Sequence, residues 1–161
     1  MLHILFVCTG NTCRSPMAET LLKQKISLAN LQEKIVAESA GLSAGVSGNA
    51  SIGARKAMAN RGLDLEQHQS RSLTSETVAT ADIILTMTGG HKTLLLSHFP
   101  ETHGKVSTLG EYAGDSQDVT DPFGGNLTEY ERCALVLDKL IAKAWIKICQ
   151  QAGEQSSVAE K

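Results

Sequence analysis

The sequence is poor in aromatic side chains: three phenylalanines, two tyrosines and one tryptophan are 4% of its 161 residues. So sparse a set offers no row of stacking platforms for single-stranded nucleic acid. An excess of either charge is also missing, with 15 Lys and Arg against 17 Asp and Glu and a net charge of -2. That balance leaves no basic footprint for nucleic acid or for an anionic membrane surface. No apolar run approaches the ~18 residues that a membrane span requires. The opening MLHILFV has no basic region ahead of its apolar stretch, so no secretory signal is expected. Four cysteines are too few for a disulfide scaffold, and a reducing cytoplasm is the expected compartment. What remains is an ordinary globular composition, 42% hydrophobic and 20% charged. Its length fits one domain with a core of its own.

Strand and helix patterns alternate along the chain. Leu2 to Val7 reads as a short buried strand, bounded by a polar segment that holds Gly10. A loop runs from Cys8 to Arg14, and Pro16 then suits a first helical turn. Met17, Ala18, Leu21, Leu22 and Ile26 recur at helical spacing. Further strands are expected at Ile35 to Ser39, Asp82 to Met87 and, more weakly, Lys105 to Leu109. Helices are expected at Ser51 to Arg61, Thr74 to Thr80 and Gly90 to His98. In the last helix Thr128 and Glu131 have capping-box spacing, and Ala134, Leu137, Ile141, Ala144 and Ile148 follow one face. The pattern predicts a single-domain, three-layer α/β/α fold over residues 1–152, with a four-stranded parallel sheet. Residues 153–161 are polar and are expected to form a disordered tail. In such folds ligands sit at the C-terminal ends of the strands, which points first to the loop after the first strand.

That loop carries Cys8 and Arg14 with five residues between them, then Ser15 at a helix start. Free backbone amides and the helix dipole there favour an anion, and would also favour a thiolate on Cys8. Gly10 and Asn11 are residue types that accept positive φ, which curls successive amides inward. Arg14 presents a planar fork to two phosphoryl oxygens, and Ser15 can donate to the Cys8 sulfur. Alone, Cys8 would pass for a small core residue and Arg14 for a solvated helix start. Cys8 and Cys13 could be metal ligands, but no second Cys or His pair at ligand spacing accompanies them, so no metal site is expected. A nucleotide P-loop is excluded, because its Gly-Lys-Ser/Thr ending is absent. His3, His91, His98 and His103 show no metal or triad spacing, and Cys133 and Cys149 read as packing or surface residues.

Val7 to Glu19, VCTGNTCRSPMAE, resembles the phosphate loop and following helix of the low-molecular-weight protein-tyrosine phosphatase family. The resemblance continues through Glu38-Ser39-Ala40-Gly41, His68-x-Ser70-Arg71, the DIILTMT strand and Asp121-Pro122. It implies a cysteine phosphatase that needs no metal or organic cofactor. Cys8 would be the nucleophile, Arg14 the phosphoryl clamp and Asp121 the general acid, with Asp118 and Asp115 as fallbacks. Thr9, Gly10, Asn11, Thr12, Cys13 and Ser15 would form the phosphate loop. Asn11, Ser39 and His68 would support it from beneath. In this family a pair such as Cys8 and Cys13 can form a protective disulfide, which would make Cys13 a redox partner.

Two departures bear on the substrate. Phosphotyrosine-specific members carry a bulky aliphatic residue where this chain has Thr12, and tyrosines just after Asp-Pro-x, where it has Phe123-Gly124-Gly125. The combination resembles the bacterial protein-arginine phosphatase branch. Thr12 is smaller than Ile and adds a hydroxyl, and Asp121 could pair with a guanidinium. Phe123 stacks equally well on guanidinium or phenol. The expected activity is therefore hydrolysis of phosphoarginine on proteins, releasing inorganic phosphate, with phosphotyrosine as the alternative. An arsenate reductase would need further thiols, and none lies between Cys13 and Cys133. A non-catalytic anion-binding module would have no use for Asp121.

Overall fold

A computed structural model describes the backbone of residues 1–159 and side chains through residue 155. Four strands, β1 (Leu2–Cys8), β2 (Ile35–Gly41), β3 (Ile83–Thr86) and β4 (Val106–Thr108), form one parallel sheet in the order β2-β1-β3-β4. Alternation along β1 explains the layering. Leu2, Ile4, Phe6 and Cys8 enter the larger core, and Leu5 and Val7 the smaller one on the opposite face. The larger core is covered by α1 (Arg14–Leu28), α2 (Ile52–Ala59), α5 (Leu109–Tyr112) and α6 (Leu127–Ala159). The smaller lies under α3 (Ser75–Thr80) and α4 (Gly89–His98).

The strands and the main helices fall within two residues of their sequence limits, and two short elements are additional: α5 and a 3₁₀ turn at Pro100–Thr102. The last helix differs at both ends. It begins at Leu127, and Asn126 Oδ1 accepts from Glu129 N at 3.1 Å, so Asn126 rather than Thr128 is its cap. Residues 153–159, expected as a disordered tail, continue the helix; Glu160 and Lys161 lie outside the described residues. Among the described residues no helix is long and apolar enough to cross a membrane. β1 lies between β2 and β3, so the connections leaving β1 and β3 part to opposite sides. That switch point opens a crevice at the carboxyl ends of the strands.

Candidate active site

The loop from Cys8 to Arg14 lies in this crevice, between the end of β1 and the start of α1. Its carbonyls are tied outward. Cys8 O accepts from Leu42 N at 2.9 Å, Thr9 O from Ser43 N at 2.9 Å, and Thr12 O from Ser51 N at 2.9 Å. Asn11 O lies 2.8 Å from His68 Nε2, and since a carbonyl only accepts, that nitrogen carries the hydrogen. With the oxygens engaged outside, the amides of residues 10–14 have no protein acceptor among the described residues. The N-terminus of α1 likewise has no side-chain cap. A ring of free N–H groups on a helix start is an anion site by construction.

Asn11 sets the curl. Its φ is 56°, the left-handed region, which Asn tolerates better than most residues. Gly10, expected to share that role, does not take a positive φ, so Asn11 carries the turn without it. The fully buried Asn11 side chain then organises its surroundings. Nδ2 donates to Ser15 Oγ and Ser39 Oγ, both at 2.9 Å, and Oδ1 accepts from Arg71 N at 3.0 Å. Ser39 Oγ in turn donates to Glu19 Oε2. Gly41 closes the support, because a Cβ there would lie 2.7 Å from Thr9 O and 3.1 Å from Asn11 N. Only glycine lets β2 approach the loop so closely.

Cys8 is buried, and its Sγ lies 2.9 Å from Ser15 Oγ. Ser15 Oγ accepts from Asn11, and when Cys8 is a thiolate, which can only accept, the Ser15 hydroxyl donates to the sulfur. Arg14, only 5% exposed, is held by Nη1 donating to Val119 O at 3.1 Å. Its Nη2 stands 3.4 Å from Asp121 Oδ2. Asp121 is 53% exposed and its other oxygen accepts from Phe123 N at 3.1 Å, which fixes the turn after it. Val119 N donates to Met87 O at 2.9 Å, tying the Asp-Pro segment to the end of β3. The two fallback carboxylates are engaged elsewhere. Asp118 accepts from Gly89 N at 3.1 Å, and Asp115 pairs with Lys143 at 2.6 Å.

Cys13 is buried and its thiol donates to Ser51 Oγ at 3.2 Å, which leaves the Tyr130 hydroxyl, 3.6 Å away, to donate to the sulfur. Burial first pushes the Tyr130 hydroxyl above its ordinary value. Thr12 is half-buried, with Oγ1 3.7 Å from Cys13 Sγ. Phe123 is 75% exposed, two residues past Asp121. Cys133 is buried and Cys149 partly so, and burial pushes the Cys133 thiol up to about 12. Among the described residues no three His, Cys, Asp or Glu are grouped to hold a metal ion.

Hydrogen bonds thus join Ser39 and His68 to the loop, and an ion pair joins Arg14 to Asp121, whereas Phe123 stands exposed two residues further on. The structure adds Glu19 under Ser39, Arg71 and Tyr130 behind the loop, and His91, whose Nε2 lies 2.9 Å from Thr9 Oγ1. Glu19 and Arg71 stand within quoted motifs, but nothing in their spacing assigns them a partner.

Residues 3–156 match the family model described as low molecular weight phosphotyrosine protein phosphatase. A Bacillus subtilis protein-arginine-phosphatase is 41% identical over 141 residues, 87% of this chain and 92% of that protein. The YwlE arginine phosphatase, solved with cysteine replaced by serine and the active-site serine phosphorylated, superimposes with a TM-score of 0.83 and 39% identity, covering 88% and 92% of the two chains. A low molecular weight protein tyrosine phosphatase from T. tengcongensis superimposes at 0.87 with 38% identity, covering 91% and 99%. A match over nearly the whole length, on a loop with this geometry, places the chain in the low molecular weight phosphotyrosine protein phosphatase family.

Proposed function

We propose that this phosphatase hydrolyses phosphorylated protein side chains through a phosphocysteine on Cys8, with phosphoarginine as the preferred substrate. The observation that carries the reading is the line of groups across the crevice: Ser15 at 2.9 Å from the Cys8 sulfur, and Arg14 at 3.4 Å from the Asp121 carboxylate. In the first step the Cys8 thiolate attacks phosphorus and the bond to the substrate nitrogen breaks. Arg14 and the free loop amides hold the non-bridging oxygens, and Asp121 gives its proton to the leaving nitrogen. In the second step Asp121 takes a proton from water, which attacks phosphorus. The S–P bond breaks, Ser15 stabilises the departing thiolate, and phosphate is released.

The preference for phosphoarginine is supported by Thr12 and by Phe123-Gly124-Gly125, where the phosphotyrosine-specific pattern has a bulky aliphatic residue and tyrosines. The arginine phosphatases among its relatives point the same way. Four free cysteines fit a reducing cytoplasm. Phosphorylated proteins are the partners in this reading; nucleic acid and membrane surfaces have no part in it.

Phosphate release from matched phosphoarginine and phosphotyrosine peptides tests it. Phosphoarginine is expected to turn over faster, Cys8→Ser to abolish both activities, and Thr12→Ile to shift preference toward phosphotyrosine by about 10-fold or more. Substantial turnover by Cys8→Ser would refute the mechanism. Faster phosphotyrosine turnover by the unaltered protein would keep the mechanism and overturn the substrate.

A further inference from the structure

His91 has no role in the steps above, yet it is built into the wall of the same site. It sits in the first turn of α4, where its backbone N–H donates to Thr88 Oγ1 at 3.2 Å. Its side chain is only 9% exposed. Nε2 lies 2.9 Å from the hydroxyl of Thr9, the residue after Cys8. Nδ1 is buried with no hydrogen-bond partner, as few polar atoms are in a folded protein. Charged groups face the ring from two elements: Arg14 on α1, and Asp118 and Asp121 on the segment before α6. Burial first, then Arg14, hold the imidazole below its ordinary value, against the two carboxylates. The free protein therefore favours the neutral ring more than water does.

We propose that His91 is a positioning residue of the phosphate site which takes up a proton when a dianion occupies the loop, adding a second cation beside Arg14. The inference rests on the anion-site reading above. A dianion brings two negative charges against a loop whose second residue His91 touches. Opposite charge added beside the Thr9 that His91 touches, partly shielded from water, raises an imidazole's proton affinity by about one pH unit or more. The proton comes from solvent, and the only bond formed is N–H. The Thr9 hydroxyl follows. A neutral ring accepting at Nε2 takes the hydroxyl hydrogen; a protonated ring can only donate, which frees that hydrogen for another acceptor. Dianions then bind more tightly as pH falls through the interval between the free and occupied states of His91.

Sulfate tests this, because it keeps both charges from about pH 5 to about pH 8, where histidine titrates. The His91 ring is followed by proton NMR in the full chain, assigned against His91→Gln, with saturating sulfate and with chloride at equal ionic strength. Sulfate is expected to raise the His91 midpoint by about one unit. It should bind roughly tenfold more tightly at the acid end of the range than at the other. His91→Gln should still bind sulfate but lose that gain. Bound sulfate with an unmoved His91 midpoint would overturn the proposal and leave the phosphatase reading standing. So would a His91→Gln protein weakened equally at every pH, the mark of a purely structural role. Failure to bind sulfate at any pH would overturn this proposal and the anion site together.

Discussion

Ser15 owes its role to a neighbour. Asn11 Nδ2 donates to its oxygen and holds it 2.9 Å from Cys8 Sγ, where the hydroxyl hydrogen meets a thiolate. A thiolate gains from that hydrogen both before attack and on departure. Ser15→Ala is expected to lower kcat by about 100-fold with KM little changed. Phosphocysteine should accumulate in acid-quenched samples read by mass spectrometry; turnover at the wild-type rate would show that the hydroxyl is dispensable. Cys13 poses a second question at this scale. Its thiol is held by Ser51 and Tyr130, five residues from the nucleophile. If it captures an oxidised Cys8 as a disulfide, peroxide should inactivate the protein reversibly. Thiol treatment then restores activity to the unaltered chain but not to Cys13→Ser, and equal recovery in both would dismiss Cys13 as a redox partner.

At the scale of elements, the site depends on how closely β2 comes to the loop. Gly41→Ala places a Cβ 2.7 Å from Thr9 O, so strand or loop must move. The expected result is a fall of about 100-fold in kcat/KM, since misplacement by an ångström costs that much. The sheet should persist, as far-ultraviolet circular dichroism would show. The strands were legible because each is a short apolar run between turn residues, and the main helices because their apolar positions recur at helical spacing. The start of α6 was misplaced because the spacing signal occurs twice. Asn126 stands three residues before Glu129, as Thr128 does before Glu131, and the structure uses the earlier pair. That Cys8 lies beside Ser15, and Arg14 beside Asp121, was legible through a local motif and its resemblance. His91 was not, because its partner Thr9 is 82 residues away and no spacing rule spans that distance. Gly10 misled for a physical reason. A residue able to adopt positive φ does not adopt it when its neighbour, Asn11, already supplies the turn.

For the molecule as a whole, alkaline pH should be the weak side. Burial raises the Cys133 thiol from 9.0 to about 12, and the Tyr112 hydroxyl from 10.0 to about 12. A folded value above the unfolded one means stability that is complete below the unfolded value and lost as pH rises toward the folded one. For Cys133 that window runs from 9.0 to about 12. There the unfolding free energy should fall by about 1.4 kcal/mol per pH unit, more steeply once tyrosine titrates in the unfolded chain. Urea titrations across the window measure it. Cys133→Ala should remove the first part of the slope, and an unchanged slope would assign the effect to other groups.

The tethers of the loop carbonyls have a consequence for a chain made from its N-terminus. The proposed nucleophile and clamp, Cys8 and Arg14, precede in the chain the groups that tie the loop open, at Leu42, Ser43, Ser51 and His68. The proposed acid follows at Asp121, and Tyr130 behind Cys13 comes later still. A nascent chain therefore displays its cysteine long before it can use it. A product truncated before α6 is therefore expected to carry the full signature motif and show no activity.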